Sequence, residues 1–200
     1  MIVLDKTNPA FQYVSERNRG RQYDFLRTAY EVWKHNPDFP IDRQFLCDLN
    51  FYAVQYLSAQ PGQYRHEYNV TVGKHNPPDW REVEDLMSRF WDNLHRLWGR
   101  MSELESAAYA LWGVNHIHPF AEGNGRSSRA IAYFIMCVKF GDWLPGSLTV
   151  TEQIRVHHRQ EYCDILNRMD GKMDKDGLTD LSEMVAFLGR LLLAQLQSAP

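Results

Sequence analysis

One run of residues, His118-Pro119-Phe120-Ala121-Glu122-Gly123-Asn124-Gly125-Arg126-Ser127-Ser128-Arg129, concentrates the side chains best suited to chemistry. His118 titrates near neutrality and can accept a proton from a hydroxyl nucleophile. Glu122 offers hard carboxylate oxygens of the kind that hold Mg²⁺ beside substrate phosphates. Gly123 and Gly125 permit positive φ and close approach of a ligand to the backbone. With the start of a following helix they can form a nest of free N–H groups at a positive dipole end. Asn124 can donate its amide to a phosphate. Arg126 and Arg129, three apart, share a face of the first helical turn and can grip phosphate oxygens with two guanidinium forks. A base, a metal ligand and a polyphosphate cradle together imply phosphoryl or nucleotidyl transfer.

The flanks explain how such a loop could be held. Ala107-Ala108-Tyr109-Ala110-Leu111-Trp112 precedes it, and Ala130-Ile131-Ala132-Tyr133-Phe134-Ile135-Met136-Cys137-Val138 follows. Both read as buried helices, the second nearly apolar all round. Ser102-x-x-Glu105 is a capping box that starts the first.

The run resembles the signature of the Fic family, His-Pro-Phe-x-(Asp/Glu)-Gly-Asn-Gly-Arg-x-x-Arg, at every fixed position, with Glu122 at the acid. The kinase-like variant of the related Doc toxins lacks this Gly-Asn-Gly-Arg. Pro61-Gly62-Gln63-Tyr64-Arg65, followed by Pro77-Pro78, is similar to the family run that leads into a β-hairpin flap beside the active loop, and Tyr162-x-x-x-Leu166 also recurs at its place in the family. The resemblance extends from about residue 61 to about residue 192. It implies an all-α bundle with a small β-hairpin flap, and transfer of AMP from ATP to a Tyr, Thr or Ser hydroxyl of a target protein. His118 would be the general base and Glu122 the Mg²⁺ ligand. Gly123, Asn124, Gly125, Arg126 and Arg129 would hold phosphates, and the flap residues Val70, Thr71, Val72 and Gly73 would dock the target. The residues alone leave γ-phosphoryl transfer equally open. Transfer of another nucleotide or phosphate-linked group, removal of AMP, and a non-catalytic nucleotide-sensing module are the alternatives on the same fold.

Many Fic proteins are held off by a helix bearing (Ser/Thr)-x-x-x-Glu-(Gly/Asn). The near misses here are Thr179-x-x-x-Glu183-Met184 and Ser15-x-x-x-Arg19-Gly20, the second without the acid. Either a separate antitoxin-like protein supplies the inhibitory acid, or Glu183 acts in a degenerate motif.

The remaining chain bounds these expectations. Two hundred residues suit one domain over 1–200, with a core from about 41 to 192 and a helical extension over 10–40. A net charge of −3 argues against nonspecific DNA binding. Three scattered cysteines, Cys47, Cys137 and Cys163, suit a reducing compartment. With no secretory leader pattern in Met1-Ile2-Val3-Leu4-Asp5 and no bilayer-length apolar run, the expected location is cytoplasmic, away from membranes. Apolar spacing predicts helices over 11–33, broken at Gly20, and over 41–58, 79–99, 102–115, 149–169 and 178–196. Residues 63–78 are the one β-like stretch, with Gly73 at its turn. Arg17, Arg19 and Arg21 read as a solvated face. His95, His157 and His158 read as surface residues. Residues 170–177 lack the acids of a calcium loop.

Overall fold

The computed structural model describes residues 5–73 and 75–199. Eight α-helices run in order: α1 Pro9–His35, α2 Arg43–Val54, α3 Val83–Leu97, α4 Glu103–Ile117, α5 Asn124–Phe140, α6 Val150–Val156, α7 Arg159–Asp170 and α8 Ser182–Gln197. Among the described residues there is no strand.

The centre is the α4–α5 pair, the most extensive helix contact in the molecule. Ala107, Ala108 and Ala110 are fully buried, and their small side chains let the helices approach closely. Gly113 has the same use: a Cβ there would lie 2.7 Å from the Phe90 ring on α3. On α5, Ile131 through Val138 are all buried, as the all-round apolar pattern predicts. α1 and α2 pack on one side of α5, and α3, α7 and α8 pack around α4. The Ser102–Glu105 capping box forms in full, satisfying orphan N–H groups at the start of α4.

Several expected boundaries differ. Gly20 does not break α1, which runs through it as one helix. A helical glycine costs about 1 kcal/mol. Buried Asn18 and Gln22 flank it and reach across to α2: Asn18 Nδ2 donates to Gln55 O at 2.7 Å and Gln22 Nε2 to Leu49 O at 2.8 Å. Those two bonds hold both sides of Gly20 in one helix. The helix expected over 41–58 is shorter, capped by Asp42 and ended by Gln55. The 79–99 helix begins as a 3-10 turn, Trp80–Glu82, with Asp79 as its cap. The 149–169 helix is two helices parted at His157 and His158, and α8 starts at Ser182, past the loop closed by Asp174.

Among the described residues no strand is found, and the expected β-hairpin flap is not shown. The stretch 63–78 contains two isolated bridges, Tyr64 with Phe120 and Val72 with His75. Val72 N donates to His75 O at 3.1 Å and His75 N to Val72 O at 2.9 Å, closing a tight turn at Gly73, where φ is +59°. Among the described residues no ladder extends from it, and side chains tie the stretch down. Buried Arg65 and partly buried His75 both bond carbonyls of the α4 C-terminus.

Candidate active site

α4 ends at His118, which takes the left-handed conformation (φ +54°, ψ +57°) and closes the helix with its N–H on Val114 O. That conformation costs a non-glycine residue of order 1–2 kcal/mol, and the cost is met by the surroundings. Arg65 lies fully buried under the loop. Its Nε donates to His118 O at 2.9 Å, its Nη2 to Pro78 O at 2.7 Å and Ile117 O at 3.3 Å, and its backbone N–H to Pro119 O at 2.7 Å. Phe120 is completely buried against Tyr64, and Ile117 is buried too.

The His118 ring is fixed by a hydrogen bond of 3.2 Å between Nδ1 and Asn115 O. A carbonyl only accepts, so Nδ1 carries the proton and Nε2 keeps its lone pair. Burial pushes the imidazole pKa down to about 4, so the ring is neutral at physiological pH. His118 thus presents a proton acceptor.

Asn50 organises the other side. Its Nδ2 donates to Glu122 O at 2.9 Å and Ser127 Oγ at 3.2 Å, and its Oδ1 accepts from Gly62 N at 3.0 Å. Gly123 caps α5 at φ +86°, and a Cβ there would lie 2.5 Å from Val54 Cγ1 and 2.9 Å from Asn50 Nδ2. Only glycine fits, by conformation and by space. Gly125 has no positive φ, contrary to expectation, because it is already inside α5. Its missing side chain leaves room for Arg129, whose Nη1 would sit 3.2 Å from a Cβ at Gly125.

Asn124 also differs from expectation. Its buried amide is spent on the loop: Oδ1 accepts from Phe120 N at 2.9 Å and Nδ2 donates to Phe120 O at 2.8 Å. What Asn124 can offer an anion is its backbone N–H. Among the described residues, the N–H groups of Gly123, Asn124 and Gly125 have no acceptor.

Arg126 donates to Ala53 O, the carbonyl that also lies 3.5 Å from Asn18 Nδ2. Arg129 finds no hydrogen-bond acceptor and no carboxylate partner among the described residues. Burial lowers the pKa of both guanidinium groups, and Arg19, from α1, adds its repulsion to both. Arg155 and Arg159 add theirs to Arg129. Arg19 therefore belongs to the field of this site and is not merely a solvated charge. These free N–H groups and guanidinium cations together can hold a polyanion.

Glu122 is partly exposed and pairs with Lys6 at 2.8 Å. Glu183 is not brought to the loop. It pairs with Arg168 at 2.7 Å and Lys172 at 3.5 Å. Val70, Thr71, Val72 and Gly73 lie together at the outer end of the 63–78 stretch, with Thr71, Val72 and Gly73 exposed.

Asn50, Arg65 and Asn115 were not anticipated as positioning residues. Asn115 Nδ2 reaches Ser128 Oγ at 2.7 Å and Tyr162 Oη at 2.8 Å, tying α4 to α5 and α7. The matched Pro-Gly-x-Tyr-Arg run was the one sequence clue to Arg65.

The model of the Fic/DOC family matches residues 40–136, from the connection before α2 to near the end of α5. Residues 40–136 are a Fic/DOC-family domain. A protein adenylyltransferase Fic from Culex quinquefasciatus is 42% identical over 110 residues, covering 54% of this chain and 20% of that protein. One from Drosophila persimilis is 40% identical over 72 residues, covering 35% of this chain and 14% of that protein. These matches thus span a fifth or less of their curated relatives. Among solved structures, a Fic domain-containing signalling protein from Bacteroides thetaiotaomicron superposes with a TM-score of 0.64 at 22% identity, covering 89% of this chain and 69% of that one. Fic-1 from C. elegans gives 0.64 at 16% identity, covering 98% of this chain and 53% of that one. At these identities the likeness is one of fold. No helix among the described residues is long and apolar enough to cross a membrane.

Proposed function

We propose that this chain is a protein adenylyltransferase, moving AMP from ATP to a Tyr, Thr or Ser hydroxyl of a target protein. The observation that carries the reading is the pairing of a neutral His118, with Nε2 free to accept, and a cradle of free N–H groups next to Arg126 and Arg129. The curated relatives named adenylyltransferases support the choice of AMP over a γ-phosphoryl group.

In this reading the target hydroxyl oxygen attacks the α-phosphorus and its proton passes to His118 Nε2. The bond from the α-phosphorus to the bridging oxygen breaks and pyrophosphate leaves. The N–H groups of Gly123, Asn124 and Gly125 and the forks of Arg126 and Arg129 hold the phosphates and neutralise the leaving group. The Glu122 carboxylate fits Mg²⁺: its oxygens are hard donors, and its Lys6 partner is mostly exposed and easily displaced. Mg²⁺ held there would supply charge neutralisation to the phosphates. Exposed backbone near Val70, Thr71, Val72 and Gly73 would pair with an extended segment of the target. With Glu183 engaged elsewhere, an inhibitory antitoxin-like protein is the proposed source of control, in the cytoplasm.

The test is incubation with Mg²⁺ and ATP labelled at the α-phosphate or at the γ-phosphate, with and without cell extract, beside His118→Ala. Protein-bound α-label that disappears in His118→Ala is expected. Protein-bound γ-label alone would make the protein a kinase. No label despite ATP binding would leave an inhibited enzyme or a sensing module.

A further inference from the structure

His75, His116 and Asp170 converge from three parts of the chain: the 63–78 stretch, the last turn of α4 and the end of α7. Asp170 Oδ1 lies 2.8 Å from His116 Nδ1, and Oδ2 lies 3.1 Å from His75 Nδ1. The other nitrogen of His75, Nε2, lies 2.9 Å from the carbonyl oxygen of His116. A carbonyl only accepts, so Nε2 carries a proton. Nδ1 then faces a carboxylate oxygen, and two lone pairs do not face each other at that distance. A positive species must stand between them, either a second proton on the ring or a metal ion. His116 Nδ1 meets the other oxygen of the same carboxylate, through its own N–H or through the same ion.

The surroundings are those of a ligand set. One ligand atom from each residue lies within 4.8 Å of the other two. Metal-ligating histidines almost always donate their other N–H to a carbonyl, carboxylate or water, as His75 does to His116 O, and ligating carboxylates are hydrogen-bonded in turn. Trp112 Nε1 donates to Asp170 Oδ1 at 2.8 Å. The side chains of His75, His116 and Asp170 are 17%, 15% and 21% exposed, so the group is sheltered yet reachable by an ion.

We propose that His75, His116 and Asp170 form a two-histidine, one-carboxylate site for a late first-row divalent cation, Zn²⁺ foremost. Two imidazoles favour Zn²⁺ over Mg²⁺ or Ca²⁺, and three protein ligands leave a fourth position for water. The ion replaces the two Nδ1 protons and fastens the 63–78 stretch to α4 and α7, two residues from His118. The site does not depend on the proposed AMP transfer, and its test does not read activity.

The experiment uses the full chain, stripped with a chelator and dialysed at pH 7.5. Zn²⁺ is titrated in competition with a chromophoric chelator, and Co²⁺ is followed by visible absorption. One equivalent of each is expected, with the intense visible bands of four-coordinate cobalt. His75→Ala, outside the helices, should weaken Zn²⁺ binding by more than about 100-fold, and Trp112→Phe, which removes the outer donor and shrinks the ring stacked on His116, by about 10-fold. His116→Ala should match His75→Ala, with circular dichroism confirming its helix content. Substoichiometric binding, or binding unchanged in both histidine variants, would overturn the assignment and leave the trio as a proton-bridged clasp.

Discussion

Arg65 Nε donates to the carbonyl oxygen of His118 at 2.9 Å, although the residues lie 53 positions apart. That bond fixes the one residue of the α4–α5 connection that takes the left-handed conformation without being glycine. Nη2 of the same fork serves Pro78 O and Ile117 O, and Nη1 donates to Asn69 Oδ1 at 3.4 Å. One guanidinium therefore joins the 63–78 stretch, the end of α4 and the loop.

Removing it should damage both stability and turnover. Arg65→Ala leaves buried carbonyls without donors, at about 1–3 kcal/mol for each unsatisfied group, and a loss of about 3 kcal/mol is expected overall. Arg65→Lys keeps the charge but cannot span the three carbonyls, and should recover less than half of that loss. Chemical denaturation of the three proteins measures this directly, and wild-type stability in Arg65→Ala would refute the assignment.

The acid behaviour of His118 follows from its burial. With a folded pKa of about 4 against an ordinary 6.5, His118 contributes no acid limb to kcat/KM between about pH 8 and pH 5.5. Activity should decline only as pH approaches 4. Stability carries the same sign. Between pH 6.5 and 4 the unfolded ring binds a proton that the folded ring does not, so stability falls as pH falls through that window. It is unaffected by this group above the window and loses nothing further below it. The total, read as the difference between the natural chain and His118→Gln, should be of order 3 kcal/mol. A ring titrating near its ordinary value in a proton-NMR series would contradict both expectations.

How much of this was legible in the sequence depended on range. The Ser102–Glu105 capping box and the buried face of α5 are local patterns, and both formed as read. Gly20 misled because its cost is small and the bonds of Asn18 and Gln22 to α2, which outweigh it, span 37 and 27 residues. The hairpin misled for a related reason: Val70, Thr71 and Val72 favour extended backbone, but Arg65 and His75 tie the stretch to the α4 terminus instead of to a partner strand. Asn50 and the His75–His116–Asp170 group left no local trace, since their partners are drawn from distant parts of the chain.

Arg19 was read as solvated, and its repulsion of Arg126 and Arg129 makes it a test of the anion site. It stands at the acid position of the near-miss Ser15-x-x-x-Arg19-Gly20 and pairs with Glu16 at 2.9 Å. Arg19→Glu exchanges a cation that repels the two guanidinium groups for a carboxylate that attracts them. It should weaken ATP binding about 10-fold or more at low salt, with the effect shrinking as salt rises. Arg19→Ala should cost only a few-fold. Calorimetry at two ionic strengths decides: equal affinity in Arg19→Glu and the natural chain would remove Arg19 from the site.

Asn124 separates two ways in which a loop residue can serve a nucleotide. Its side chain closes a ring of two hydrogen bonds with the backbone of Phe120 and is almost fully buried. If that is its function, Asn124→Ala strands the Phe120 N–H and C=O in the core. Stability should then fall by about 2 kcal/mol before any ligand is added. ATP affinity should fall with it, because the N–H groups of Gly123, Asn124 and Gly125 lose their common orientation. Asn124→Asp keeps the acceptor for Phe120 N but sets a carboxylate against Phe120 O, so it should be at least as damaging in the absence of nucleotide. A residue that merely touched phosphate would behave differently: its alanine variant would keep the melting temperature of the natural chain and lose ATP affinity alone. Thermal melts without nucleotide, set beside calorimetric ATP titrations, tell these apart.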